Sequence, residues 1–241
     1  MIDRRSVCLG TAAAMVGAST RAAPDTPFFV SGPFSHDLLA AGFRTPGAPL
    51  TLPSTPLVSA HGPQRLSRLR GRTHLVSLWA EWCSPCLQEA TDLAAISRTY
   101  GGPSFGVIFV LTSSHKKLDL AGAQAVLARR GAGDVTLFVE PDGRESVFQA
   151  LAKQELSDGA KTDMVASLPC NLLVDRHGQV RARSFGAPSA VTYVKGSRPD
   201  LAPHTLTDAE KARALNEHTM WATQSGHDFA AALAAGLLEK A

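Results

Sequence analysis

The sequence predicts an α/β fold: a mixed sheet with helices on both faces, an N-terminal extension and an insertion before the C-terminal helix. Three observations predict it. Short apolar runs alternate with helical spacings through the middle of the chain, two late strand candidates are close enough to form a hairpin, and a helical segment ends the sequence.

The elements follow in order. Residues 23–50 are rich in Pro and Gly, with a short helical stretch at 35–41, and read as an extension lying over the domain. The domain itself spans 51–241. Residues 51–72 hold apolar pieces broken by Pro53, Pro56 and His61-Gly62-Pro63, as a loose hairpin would. A buried strand is predicted at 74–80, where β-branched Val76 sits in an unbroken apolar run. A helix is predicted at 84–100, with Cys86, Ala90, Leu93, Ser97 and Tyr100 on one stripe. A second strand follows at 105–111 after Gly101-Gly102-Pro103, then a helix at 118–130 ending at Gly131. A third strand at 135–139 is closed by Pro141-Asp142-Gly143, and a weaker helix covers 144–151. Strands at 171–175 and 179–185 are joined by Arg176-His177-Gly178 as a hairpin, and the last helix runs over 228–240. Residues 187–220 do not fit the alternation. They contain Pro188, Gly196-Ser197-Arg198-Pro199 and a capping-box signal at Thr207-Asp208-Ala209-Glu210, and read as the insertion.

Composition bounds the function. The 241 residues are 44% hydrophobic and 19% charged, as suits a packed core. The net charge of +3 is spread without a basic run, so there is no electrostatic case for nucleic acid. Four cysteines are too few for a disulfide framework in a chain of this length. Residues 1–22 read as an export signal: a basic start with Arg4-Arg5, a weakly apolar stretch too short to span a bilayer, and small residues around Thr20-Arg21-Ala22. The arginine pair and the weak hydrophobicity favour the twin-arginine route over the general secretory one. The expected location is the periplasm, with a mature form that does not span the membrane. Removing the signal takes Cys8 with it and leaves Cys83, Cys86 and Cys170.

The chemistry concentrates at Trp82-Cys83-Ser84-Pro85-Cys86, where a buried strand runs into a helix. Cys83 falls at the helix N-terminus, where unpaired N–H groups and the positive end of the dipole favour an anion and so a thiolate. Cys86 lies one turn deeper within disulfide reach, and Pro85 suits a first turn that needs no N–H partner. This makes Cys83 an exposed attacker and Cys86 a shielded resolver. A structural disulfide closing so short a loop is a poor staple. A metal site wants further ligands, and neither a second CxxC nor a His pair at ligand spacing is present, so no metal is expected. His115 and His177, in a loop and a turn, read as solvated.

The stretch from Leu75 to Cys86 resembles the active-site region of thioredoxins, and residues 65–74 and 167–178 resemble the exported TlpA/ResA-like branch of that family. The likeness covers 51–185 and the terminal helix. It implies a thioredoxin-like fold, a dithiol/disulfide active site without a cofactor, and a cis Leu168–Pro169 peptide facing the cysteines. It places client contact on Trp82, Pro85, Leu168 and Pro169. It also implies reduction of disulfides in client proteins, such as apocytochrome c, copper-site proteins or sulfur-oxidation enzymes, with electrons from a membrane thiol donor. The direction of electron flow is not set by the motif, which serves oxidants near about −120 mV and thioredoxin near about −270 mV.

Three positions depart from the family pattern. Ser77 stands where thioredoxins bury an aspartate. Glu89, three residues after Cys86, matches the family's glutamate and either handles the proton of Cys86 or is a solvated acid early in a helix. Thr91 replaces a proline, implying a less kinked helix. Cys170 follows Pro169 and is either a third thiol near Cys83 or a small buried hydrophobe; one disulfide, Cys83–Cys86, is expected. Two rivals to the oxidoreductase stay open: a copper-delivery module using Cys83 and Cys86 as soft ligands, and a catalytically idle binding domain whose 187–220 insertion docks a partner.

Overall fold

The computed structural model describes residues 43–44, 50–141, 147–151, 168–185 and 219–239. The export signal, the stretch at 35–41, the first residues of the 144–151 helix, the capping box at 207–210 and nearly all of the 187–220 insertion lie outside the described residues.

Six strands form one mixed sheet. They are β1 (Phe43–Arg44), β2 (Thr73–Trp79), β3 (Phe105–Leu111), β4 (Thr136–Val139), β5 (Cys170–Val174) and β6 (Val180–Phe185), in the order β1-β6-β5-β2-β3-β4. The pairs β2–β3 and β3–β4 are parallel, and the remaining neighbours are antiparallel. Every residue of β2 and β3 is buried, which is why both read as unbroken apolar runs: a strand covered on both faces has no polar side to alternate with. Among the described residues, the longer helices are α1 (Ser84–Tyr100), α2 (Leu120–Ala128) and α3 (Gln224–Ala234).

The core falls into two clusters separated by the sheet. Leu75 and Trp79 of β2 pack with Cys83, Cys86, Leu93 and Ile96 of the α1 region, and with Trp221 and Phe229 near the C-terminus. Val76 and Leu78 point the other way, toward Leu57, Leu66, Val147, Leu151 and Cys170. That second face carries the 3-10 turn Leu66–Arg68 and a helical turn at 147–151, so helical structure lies on both faces.

Element ends differ from expectation for local reasons. α2 is shorter than 118–130 because Asp119 caps it, accepting from the Gly122 N–H at 2.8 Å. α3 begins four residues before the expected 228, because Thr223 Oγ1 accepts from the Gly226 N–H at 3.1 Å. It stops at Ala234, and Gly236 then takes φ +84, the left-handed turn that ends helices. The loose hairpin forms between Leu57 and Gln64, with Gly62 at φ +87. The extension does more than lie over the domain. Phe43 pairs with Ser184 as an edge strand and buries its ring against Trp221 and Phe229, with centroids 6.2 and 6.3 Å away.

A 3-10 turn, Met220–Ala222, precedes α3 and packs tightly on its first turn. A Cβ at Gly226 would lie 2.1 Å from the Met220 carbonyl oxygen and 2.9 Å from the Trp221 Cα. Gly226→Ala is therefore expected to force the turn off α3 and to lower stability by about 1–3 kcal/mol, the usual cost of overpacking. A chemical denaturation midpoint equal to that of the parent would show that the backbone yields freely there.

Candidate active site

The chain leaves β2 at Trp79 and turns into α1, with Cys83 as the helix N-cap and Pro85 in the first turn. Cys83 and Cys86 form a disulfide, with Cα atoms 5.3 Å apart. The Cys86 N–H points at Cys83 Sγ across 3.3 Å. This is one of the helix's otherwise unpaired donors, aimed where negative charge develops when the pair is reduced and Cys83 ionises.

One expectation needs correction. Cys83 is not an exposed attacker in the oxidised protein: it is 4% exposed, close to the 2% of Cys86. The disulfide ties both sulfurs under the helix end, and the exposed surface belongs to Trp82, Ser84 and Pro85 around them. Trp82 is 49% exposed, yet it is held in place. Its indole N–H donates to the Ser113 carbonyl at 2.8 Å, and its ring stacks on His115 with centroids 4.9 Å apart. His115 is thus exposed but engaged, rather than simply solvated.

The Leu168–Pro169 peptide is cis. Antiparallel pairing sets Cys170 opposite Leu78, so Pro169 lies at the end of β2 from which the chain runs to Cys83. Leu168 packs against the cluster holding both cysteines as well as the one on the other face.

Cys170 is buried outside the disulfide and packs in the cluster of Val76, Leu78 and Leu172, across the sheet from Cys83 and Cys86. Strand alternation accounts for this: Cys170 and Asn171 are adjacent and must face opposite sides. The position suits a small buried hydrophobe.

Asn171 therefore faces α1. It stands in register with Ser77 of β2 on one side and Ser184 of β6 on the other. Its Nδ2 donates to Glu89 Oε1 at 2.8 Å. The Trp221 indole N–H donates to the same oxygen at 2.9 Å. Glu89 is 1% exposed, so it is no solvated surface acid. It follows Cys86 by three residues, one helical turn along the buried face of α1. Burial pushes its carboxyl up to about 7 against the two donors, which act to lower it, and Asp92 adds to the rise. Asp92, one turn further, accepts from the Thr219 N–H at 2.7 Å and the Thr219 hydroxyl at 2.8 Å. Thr91 uses its hydroxyl to bind the Arg130 carbonyl at 2.9 Å, joining α1 to the end of α2.

Asn171, Thr219 and Trp221 were not singled out from the sequence. A polar residue inside the apolar run 170–174 was the available signal for Asn171. For Trp221 it was an indole that needs a partner once buried. Among the described residues, no group of three His, Cys, Asp or Glu side chains is gathered as a metal centre requires.

The raised pKa of Glu89 has a consequence for stability. Between pH 4.5, its ordinary value, and about 7, the folded protein keeps a proton that the unfolded chain releases. Stability from this group is complete below pH 4.5 and is lost as pH rises through 7. In the oxidised protein, Glu89→Gln is expected to flatten that decline, by an amount on the order of a few kcal/mol. Parallel denaturation curves for parent and variant from pH 5 to 8 would show that Glu89 ionises no differently when folded.

The Redoxin family matches residues 48–195. The thiol:disulfide interchange protein DsbE of Allochromatium vinosum is 26% identical over 141 residues, covering 58% of this chain and 66% of that protein, just under two thirds of its length. A crystal structure of a putative DsbE from Chlorobium tepidum is similar over 68% of this chain and 95% of its own, with 22% identity and a TM-score of 0.43. A solution structure of a thiol:disulfide interchange protein from Bacteroides sp. matches over 57% and 80%, with 16% identity and a TM-score of 0.44. With a sheet, a strand-to-helix cysteine pair and a family match that spans most of its length, this chain belongs to the Redoxin family.

Proposed function

We propose that this protein is a thiol:disulfide oxidoreductase that reduces disulfides in client proteins by dithiol exchange. The observation that carries the proposal is the Cys83–Cys86 pair at the head of α1, with the Cys86 N–H aimed at Cys83 Sγ. In the reduced protein, the Cys83 thiolate attacks one sulfur of a client disulfide. A mixed disulfide forms and the other client sulfur leaves as a thiolate. Cys86 passes its proton to Glu89 and attacks Cys83 Sγ. That releases the second client sulfur and closes the Cys83–Cys86 bond. The client gains two electrons and the pair loses two, so a second dithiol, carried by a membrane thiol donor, must restore it.

Client contact falls to the surface around the disulfide. Trp82 offers an exposed ring held on His115, Pro85 is exposed beside it, and Leu168–Pro169 lies at the same end of the sheet. A client strand lying there is positioned for in-line attack by Cys83. The proposed location is the periplasm, reached through the twin-arginine signal at 1–22. Among the described residues no helix is long and apolar enough to cross a membrane.

Two outcomes test the assignment. Cys83→Ser is expected to abolish reduction of insulin disulfides, and Cys86→Ser to accumulate client mixed disulfides visible on non-reducing gels. Normal turnover by Cys86→Ser would refute the division of labour. Cys170→Thr, on the far face of the sheet, is expected to retain most of the activity. Peptide mapping of the oxidised parent should then find Cys83–Cys86 alone, and a substantial Cys83–Cys170 peptide would overturn the assignment of Cys170.

A further inference from the structure

The groups around Glu89 come from α1 itself, from β5 with its neighbours β2 and β6, and from the 3-10 turn with α3 behind it. From α1 itself come Cys86 and Asp92. From β5 comes the Asn171 amide, flanked in register by the Ser77 and Ser184 hydroxyls of β2 and β6. From the 3-10 turn come Thr219 and Trp221, backed by the apolar ring of Phe229 on α3. Asp92 is the one charge acting on Glu89 among the described residues, and its own carboxylate is occupied by Thr219. No lysine, arginine or histidine of the described residues balances Glu89.

A carboxylate in such a place is held only by hydrogen bonds to neutral donors. Two are present, both on Oε1, and they come from residues 82 and 132 positions away in the sequence. Oε2 is buried and without a partner, as is Asn171 Oδ1.

We propose that Trp221, together with Asn171, is a positioning residue for Glu89, holding its charged form in a water-excluded site so that it can both take and release the proton of Cys86. The inference rests on the reading of Glu89 as acceptor for Cys86 and extends it. The C-terminal turn at 219–222 is then part of the redox machinery, because it supplies one of the two donors that let the buried acid ionise. Without the indole N–H, the acid stays protonated to higher pH and cannot receive the Cys86 proton at neutrality.

The test compares Trp221→Phe with Phe229→Leu in the full chain. Titration of Glu89 is followed by the infrared carbonyl band of its protonated carboxyl, identified by its loss in Glu89→Gln. The oxidised protein is used, so that Cys83 and Cys86 do not titrate. Trp221→Phe keeps an aromatic ring but removes the donor, and the midpoint is expected to rise by about one unit, as loss of a hydrogen bond to a charged group implies. Phe229→Leu loosens the same aromatic packing without touching a donor. It is expected to lower the melting temperature and leave the midpoint in place. An unmoved midpoint in Trp221→Phe, or an equal rise in Phe229→Leu, overturns the proposal. Should Trp221→Phe fail to fold, Asn171→Leu removes the other donor and must raise the midpoint likewise. The pH dependence of mixed-disulfide release is recorded beside it. A rise in the infrared midpoint with an unchanged release profile would uphold the positioning of Glu89 while refuting its role toward Cys86, so the two failures are told apart.

Discussion

Two N–H groups converge on one carboxylate oxygen inside a site closed to water, and much of the molecule is arranged around that convergence. Burying an acid is costly unless donors meet it, and the donors to Glu89 come from 82 and 132 residues further along the chain. β5 has to pair with β2 in the register that turns Asn171 toward α1. The 3-10 turn has to fold back onto α1, which requires the Thr219–Asp92 bonds on one side and the closeness allowed by Gly226 on the other. Phe43 of the extension closes the aromatic group of Trp221 and Phe229 from the sheet edge. The cysteine pair sits at one end of this arrangement and is the simplest part of it.

Much of this was legible in the sequence because it is local. The strand-to-helix junction, both buried parallel strands and α1 follow from apolar runs, a proline in a first turn and one helical stripe. The cysteine pair depends on residues three apart. Glu89 was visible as a candidate but its state was not, since whether an acid in a second turn meets water depends on what is packed over it. Asn171 and Trp221 were missed for the same reason. Their importance comes from pairing across 82 and 132 residues, and no local pattern carries that distance. Helix ends were displaced where a single side chain decides them, as with Asp119 before α2 and Thr223 before α3.

The sheet also divides the thiol chemistry. Cys170 directly follows the cis-proline, and proximity along the chain suggests a place in the reaction. The period of two along a strand sends it to the other face, among Val76, Leu78 and Leu172, while its neighbour Asn171 takes the side of α1. One step of register thus separates a packing residue from a residue in contact with the buried acid. A shift of one residue in β5 would exchange the two and place a third thiol on the face of Cys86.

The reach of the Trp221–Glu89 bond also sets an order of assembly. During synthesis the cysteine pair emerges with Glu89 behind it, long before residue 221 exists to meet it. The nascent chain therefore carries its thiols before it carries the second donor to the buried acid, and closure of the C-terminal turn is the step that completes the enclosure of Glu89. A chain severed after β6 would still contain both cysteines and the Asn171 amide, yet the acid behind Cys86 would have lost the indole that faces it.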